Sequence, residues 1–234
     1  MDLTEVFATI FGFIVLFGPI FLIYYLGNKN YKKSDYYNET GIPFLTLRFN
    51  KGLYGEYLTR KNLEQIDGHK RFLSNCYLTK QNGETTEVDL IMIHTSGIYV
   101  FESKNYGGWI FGEENSKQWM QTFKTGEKNR FFNPIMQNRG HISALKKVLA
   151  MEDDSKFQSV IVFSDRCTFK KMNVTTPVIH RRDIGRAVQE LSRRNPYCLT
   201  EPQIDDFYQK LLPLTQVSDQ VKQKHIQDIK NKYQ

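Results

Sequence analysis

The sequence predicts an α/β protein that follows a single apolar helix at the N-terminus. Three kinds of observation support this fold class. A long apolar run without charged side chains occupies residues 6–26. Runs rich in isoleucine, valine and aromatic residues predict strands at 71–78, 87–94, 97–101 and 158–163. Helical periodicity and helix-start signals lie between and beyond these strands, at 52–66, 134–150, 183–194 and 203–212.

The apolar run from Val6 to Leu26 is long enough to cross a membrane. A hydrocarbon core of roughly 30 Å needs about 20 residues of α-helix. A cleaved signal peptide is disfavoured, because the residues before the run are acidic and no small-x-small cleavage pattern follows it. The flanking charges are Asp2 and Glu5 before the run, and Lys29, Lys32 and Lys33 after it. The positive-inside rule therefore predicts an outside N-terminus and a cytoplasmic C-terminal domain.

Four segments are predicted along the chain. A transmembrane helix spans 6–26, and a juxtamembrane linker with little regular structure spans 27–50. A globular domain occupies 51–194, and a helical C-terminal extension occupies 195–234. The length of 234 residues is sufficient for one domain with a substantial core and an appendage.

Composition and short motifs exclude several classes of protein. The net charge of +7 favours polyanionic partners such as nucleic acid or an anionic lipid surface. The three cysteines, Cys76, Cys167 and Cys198, include no C-x-x-C pair, so neither a disulfide framework nor a zinc site is predicted. The sequence contains no G-x-S-x-G, H-E-x-x-H or Walker A motif, which argues against a serine hydrolase, a zinc protease and a P-loop enzyme.

A β-hairpin between residues 87 and 104 is the central predicted feature. The turn signal Gln81-Asn82-Gly83 precedes it, and both of its strands are apolar. The loop between the strands is either Thr95-Ser96 or Ser96-Gly97. Because either loop has two residues, either one fixes which side chains of the two strands share a face.

Three charged side chains share one face of this hairpin. The Thr95-Ser96 loop places Asp89 opposite Glu102, and the other loop places Asp89 opposite Lys104. Two carboxylates roughly 5 Å apart repel each other unless a cation lies between them. The arrangement therefore suits a hard divalent metal ion bound by oxygen atoms, with a lysine beside it.

A solvated strand face is the alternative interpretation of these charges. Carboxylates and lysines at alternate positions are typical of an amphipathic strand with one side in water. Residues 90–93, however, form a continuous apolar run, which is typical of a strand buried on both faces. Isolated charges are costly there unless they are paired or bound to metal. The residues by themselves leave both interpretations open.

Two predicted helices carry further candidate residues. Glu56 is expected in the first turn of the helix over 52–66, where interaction with the helix dipole is the alternative to a role in a site. Asn133, which precedes a proline at the first helical position, predicts the start of the helix over 134–150. Gln137 and His141 lie four positions apart on that helix, and a surface polar pair is the alternative there.

These residues form an ordered set that resembles the nuclease-related domain (NERD) family of restriction-endonuclease-like nucleases. The set comprises Gly55-Glu56, Glu87-Val88-Asp89, Glu102-Ser103-Lys104 with Gly108, Trp119, Asn133-Pro134, Gln137 and His141. The resemblance covers about residues 51–150. It implies a restriction-endonuclease-like α/β core with a mixed central β-sheet flanked by helices, and cleavage of DNA that depends on Mg²⁺ or Mn²⁺.

The resemblance also implies a role for each matched residue. Asp89 and Glu102 would bind the metal ion, and Lys104 would assist the attacking water. Glu56 would complete the acidic set, and Gln137 would support the site from its helix. Valine precedes Asp89 where many relatives in the wider superfamily have proline, a difference that removes no chemical group.

We therefore expect a membrane-anchored nuclease that faces the cytoplasm and hydrolyses DNA phosphodiester bonds. Its expected cofactor is Mg²⁺ or Mn²⁺, and its expected partners are nucleic acid, DNA in particular, and the membrane. Two alternatives keep the same fold. One is a module that binds nucleic acid without cutting it, and the other is a membrane-associated scaffold whose lysines contact anionic lipid.

Overall fold

The chain divides into two compact units, Met1–Asn50 and Lys51–Gln234. The computed structural model describes residues 2–80, 83–194 and 197–233. Two predicted features fall partly outside these ranges. They are the turn before the hairpin, of which Gln81 and Asn82 are not described, and the start of the C-terminal extension at residues 195 and 196.

The first unit begins with helix α1, Leu3–Tyr31, which has 29 residues. At its start the Asp2 backbone N–H donates to Glu5 Oε2 at 3.3 Å. The mean hydropathy of α1 reaches 2.6 over 18 residues, and that stretch has no buried residue. Among the described residues, α1 is the one helix long and apolar enough to span a membrane. The predicted apolar helix is confirmed, although it extends beyond the predicted bounds of 6–26 at both ends, whereas the sidedness stays a prediction.

The predicted lack of regular structure in residues 27–50 is wrong. After α1 come two short helices, α2, Asp35–Thr40, and α3, Phe44–Phe49. Ser34 Oγ accepts a hydrogen bond from the Tyr37 N–H at 3.3 Å and so caps α2. The buried Tyr31 ring packs edge-on against Tyr37, and its hydroxyl donates to the Ile42 carbonyl at 2.9 Å. Aromatic packing thus orders a segment whose polar composition indicated a linker.

The described part of the second unit contains two β-sheets, five α-helices and three short 3-10 helices. The first sheet consists of β1 (Lys70–Thr79), β2 (Thr85–His94), β3 (Gly97–Lys104), β7 (Phe157–Phe163) and β9 (Val178–His180). The second sheet consists of β4 (Gly108–Glu113), β5 (Gln118–Thr122), β6 (Lys128–Phe132) and β8 (Cys167–Asn173). The helices are α4 (Lys51–Leu63), α5 (Pro134–Leu149), α6 (Ile184–Arg194), α7 (Glu201–Leu211) and α8 (Asp219–Tyr233).

The first sheet is mixed and has helices on both faces. Its strand order is β1-β2-β3-β7-β9, with β1, β2 and β3 antiparallel and β3, β7 and β9 parallel. On one face, Ile91 packs with Leu145 of α5 and Ile204 of α7. On the other face, Met92 packs with Val188 of α6. The predicted α/β fold class, with a mixed sheet between helices, is confirmed, and burial of β2 on both faces accounts for its continuous apolar run.

A second mixed sheet stands where one central sheet was expected. Its order is β6-β5-β4-β8, with β4 and β8 parallel and the other pairs antiparallel. Ile110 and Trp119 point into a core that they share with Ile135 and Phe163. Strand β8 was not predicted, because its sequence CTFKKMN is rich in lysine and lacks the apolar run of a buried strand.

The core of the second unit continues beyond residue 194. Ile204 and Leu211 of α7 are fully buried against the first sheet. Asp205, on the same helix, accepts a hydrogen bond from Arg71 Nε of β1 at 2.8 Å. The domain boundary proposed at 194 stays a prediction.

Candidate active site

The β2–β3 hairpin has the first of the two registers considered. His94 pairs with Gly97 across the Thr95-Ser96 loop, and Leu90 pairs with Phe101. The next positions of this register are Asp89 and Glu102. Gly97 has a φ of 132°, and a Cβ atom there would lie 2.8 Å from the Lys156 carbonyl oxygen, so both the turn and the packing require glycine. The alternative Ser96-Gly97 loop is wrong.

The buried Glu102 and Lys104, whose side chain is 16% exposed, form an ion pair at the end of β3. Lys104 Nζ lies 2.6 Å from Glu102 Oε1 and 3.1 Å from Gln137 Oε1. Asp89 Oδ2 accepts a hydrogen bond from the Ser103 N–H at 2.9 Å. This bond connects β2 to β3 at the residue between Glu102 and Lys104. Glu102 is only 1% exposed. The solvated-face interpretation of these charges is therefore wrong for Glu102 and Lys104.

Helix α5 brings two polar side chains to the same place. Asn133 caps the helix by accepting a hydrogen bond from the Ile135 N–H at 2.9 Å, as predicted. One turn separates Gln137, which contacts Lys104, from His141, which lies 3.0 Å from Glu102 Oε2 through its Nε2 atom. Because His141 is 2% exposed, the alternative of a surface pair is wrong.

Glu56 lies beside the other carboxylates, from helix α4. It is the sixth residue of a helix that begins at Lys51, so its predicted place in the first turn is wrong, as is the interaction with the helix dipole that depended on it. Its Oε2 atom is buried and has no hydrogen-bond partner among the residues that the structure describes. Burial, together with the negative charges of Glu87 and Glu102, raises the pKa of Glu56 to about 7.

The charges of the cluster act on one another. Burial raises the pKa of Asp89 well above its ordinary value, and the charges of Glu102 and Glu56 add to this effect. Burial also opposes ionisation of Glu102, but the Lys104 charge and the His141 hydrogen bond outweigh it, so the pKa of Glu102 is lowered. Burial disfavours the charged form of Lys104, yet Glu102 and Asp89 outweigh it and raise its pKa. The site therefore holds a Glu102–Lys104 ion pair and two further carboxyl groups, those of Asp89 and Glu56, whose pKa values are raised.

The donor atoms of this cluster suit a hard cation. Carboxylate oxygens line the cluster from β2, β3 and α4. Among the described residues the buried Oε2 atom of Glu56 has no hydrogen-bond partner, so a cation or a hydrogen-bond donor at this place would stabilise it. Among the described residues, no three side chains of His, Cys, Asp or Glu stand close enough to enclose a metal ion by themselves. Mg²⁺ is commonly bound by one or two carboxylates, and water and substrate phosphate complete its coordination shell. The carboxylates of Asp89 on β2 and Glu102 on β3 fit this kind of site.

Sequence reasoning missed Thr86, the partner of His141. Thr86 Oγ1 lies 2.9 Å from His141 Nδ1, and both residues are buried. Strict alternation places Thr86 on the opposite face from Asp89. Val88 and Ile91 nevertheless pack in the same core, although strict alternation would place residues three apart on opposite faces. The alternation in β2 is therefore interrupted between them. On the neighbouring strand β1, Asn75 lies opposite this point and has a φ of 53°. An irregularity on the neighbouring strand gives no signal in the sequence of β2.

Comparison with known proteins is consistent with this geometry. The family model of the nuclease-related domain matches residues 51–164, a segment that contains Glu56, the hairpin and α5. An uncharacterised protein of Bacillus anthracis is 29% identical over 187 residues, which cover 78% of this chain and 85% of that protein. No solved structure gives a significant match.

Proposed function

Residues 51–164 are a nuclease-related domain, and on that premise we propose that this protein is a membrane-anchored, metal-dependent nuclease that hydrolyses DNA phosphodiester bonds. The observation that carries the proposal is the contact of 2.6 Å between Lys104 Nζ and Glu102 Oε1, with Asp89 on the adjacent strand. Charged groups buried at the end of an apolar sheet cost stability, and such groups cluster at functional sites.

Asp89 and Glu102 are the residues we assign to hold the metal ion. A bound Mg²⁺ or Mn²⁺ would supply positive charge that polarises a phosphate oxygen and stabilises the charge developing there. Binding of a cation would also offset the burial, and the repulsion from Glu102 and Glu56, that raise the pKa of Asp89. His141 keeps the Glu102 carboxylate in place from the side of α5.

Lys104 acts in this proposal as a charged donor. Its raised pKa keeps it an ammonium group at neutral pH, so it stabilises negative charge on the phosphate and orients the attacking water. Gln137 Oε1, at 3.1 Å, fixes the position of Nζ. The proton released by the water requires an acceptor, and Glu56, with a pKa of about 7, is suited to take it at neutral pH.

The reaction itself is a hydrolysis. The water oxygen forms a bond to phosphorus while the bond between phosphorus and one deoxyribose oxygen breaks. One proton of the water passes to the acceptor carboxylate, and the departing deoxyribose oxygen gains a proton from solvent. The products are a phosphate monoester and a free hydroxyl group.

Helix α1 is the anchor in this proposal. Its length and hydropathy suit a bilayer, and the lysines that follow the apolar run favour a cytoplasmic second unit. Digestion of intact spheroplasts with an external protease tests the orientation. Protection of the second unit supports the proposed sidedness, and its digestion contradicts it.

A module that binds nucleic acid without cutting it is the second candidate. One observation favours it: the two carboxylate oxygens of Glu102 are already held by Lys104 and by His141. A metal ion would have to share these oxygens with the present partners. The same basic domain would then retain DNA at the membrane without hydrolysing it.

Cleavage by the full chain in detergent micelles separates these candidates. Linear, circular and single-stranded DNA are incubated with Mg²⁺, Mn²⁺ or EDTA. We expect metal-dependent cutting that is lost in Lys104→Ala and in the isosteric Glu102→Gln, and kept in Lys147→Ala, which removes an exposed lysine from α5. Binding without cutting favours the second candidate. Binding of anionic lipid but of no DNA favours a scaffold and contradicts both.

A further inference from the structure

The second sheet has a face that points away from the core. Trp119 and Ile110 point inward, so by alternation their strand neighbours point outward. The pairing aligns Lys171, Phe111, Met120 and Arg130 in one row across all four strands. We call this surface the outer face, defined by Trp109, Phe111, Met120, Lys128, Arg130, Lys170 and Lys171.

A second row lies beside the first and repeats its chemistry. Trp109 pairs with Thr122, which pairs with Lys128. The bulge between Ile110 and Phe111 leaves Lys170 out of the ladder, and its Nζ atom lies 5.3 Å above the Trp109 ring. Each row therefore carries an aromatic ring in the middle of the sheet and a cation at its edge.

The outer face is accessible and positively charged. Trp109, Phe111 and Met120 are partly exposed, and the four cations Lys128, Arg130, Lys170 and Lys171 are exposed. Within the described ranges none of the four forms an ion pair. Glu113, at the far end of β4, is the one carboxylate that alternation places on this face. Cations thus outnumber carboxylates there, which favours an anionic ligand.

We infer that the outer face binds single-stranded nucleic acid, with bases stacked on Trp109 and Phe111 and phosphates paired with the surrounding cations. Sequence-tolerant binding of single strands uses this combination of aromatic rings and a basic surface. The two rings lie two residues apart on one strand, about 7 Å along it. Bases within a duplex are already stacked on one another and present no free face to such rings.

The outer face lies close enough to the candidate active site for one nucleic-acid strand to contact both. Trp109 follows Lys104 by five residues, so their Cα atoms lie at most about 18 Å apart. An open cleft of about 610 Å³ adjoins the face and adds a further lysine; its lining residues are Ser116, Lys117, Gln118, Trp119, Met120 and Arg130. The inference rests on the proposed function only in taking nucleic acid as the ligand, because binding requires neither metal nor cutting.

Tryptophan fluorescence provides a direct test, because the chain has two tryptophans. Trp109 lies on the outer face, and Trp119 is buried at 2% exposure. The full chain in detergent micelles is titrated with oligothymidylate in EDTA. We expect strong quenching in the wild type and a much smaller fractional quenching in Trp109→Phe, whose remaining emission comes from Trp119. Fractional quenching in Trp109→Phe that equals that of the wild type overturns the inference.

Affinity and its salt dependence test the rings and the cations separately. We expect Trp109→Ala to weaken binding of labelled oligothymidylate on the order of ten-fold or more. Arg130→Gln, an exposed change that leaves the core intact, should reduce the slope of log K against log salt by about 0.7. Lys147→Gln on α5 also removes one exposed positive charge, but away from the outer face, and should alter neither quantity.

The outcomes keep this inference separate from the proposed function. Unchanged affinity in Trp109→Ala and Arg130→Gln overturns the outer-face proposal even if the protein cuts DNA. Binding that depends on these residues supports it even if nothing is cut. Phosphatidylserine nanodiscs that quench Trp109 while oligothymidylate does not would assign the face to lipid and overturn the inference.

Discussion

Replacement of Glu56 by glutamine is the perturbation whose effect the structure fixes most directly. Within the described part of the chain, the buried Oε2 atom of Glu56 has no hydrogen-bond partner, and the side chain faces the charges of Glu87 and Glu102. Glutamine has nearly the same shape and stays neutral at every pH. Glu56→Gln should therefore stabilise the protein where Glu56 of the wild type is ionised, and change little where it is protonated.

The magnitude follows from the pKa of this carboxyl group. A pKa raised from 4.5 to about 7 corresponds to about 3 kcal/mol, because one pKa unit is worth about 1.4 kcal/mol. Between these two values the folded state binds more protons than the unfolded state, so the stability of the wild type falls as pH rises through this window. The stability difference between Glu56→Gln and the wild type should grow by about 3 kcal/mol from pH 4 to pH 8.

Urea unfolding in detergent micelles with EDTA measures this difference. Both tryptophans lie in the second unit, so their fluorescence follows the unit that contains Glu56. Glu190→Gln is the matched control, because it makes the same change at an exposed position of α6. Its stability difference from the wild type should stay nearly constant with pH. If the Glu56→Gln difference is equally flat, Glu56 ionises normally and the electrostatic account of the cluster is wrong.

Three further predictions concern the hairpin and its surroundings. His141→Ala leaves Glu102 Oε2 without its donor and should lower the free energy of unfolding by about 1–3 kcal/mol at pH 7 in the same assay, whereas a loss under 0.5 kcal/mol would contradict the buried contact. Burial lowers the pKa of His94, so the contribution of this residue to the stability of the wild type should be lost as pH drops below 6.5, and unfolding of His94→Gln should lack this component. Ile91→Ala, at a side chain with 0% exposure, should cost about 2–5 kcal/mol, and an unchanged urea midpoint would refute its place in the core.

Local sequence patterns determined several features of this protein. The apolar run predicted α1, and Asn133 with the proline after it predicted the start of α5. Both signals are contained in a continuous stretch of the chain and depend on no distant residue. The short loop narrowed the hairpin to two registers and placed Asp89, Glu102 and Lys104 on one face in either of them. The order of matched residues along the chain then indicated the nuclease-related domain.

Tertiary structure alone decided which distant side chains meet. Glu56 approaches the hairpin from α4, and His141 approaches it from α5, because helices cover both faces of the first sheet. Thr86 joins His141 only because alternation in β2 is interrupted, and β8 completes the second sheet without an apolar run of its own. Spacing along a chain fixes which residues share a face of one element. How elements pack depends on shape and burial across the whole core, and no local spacing encodes that.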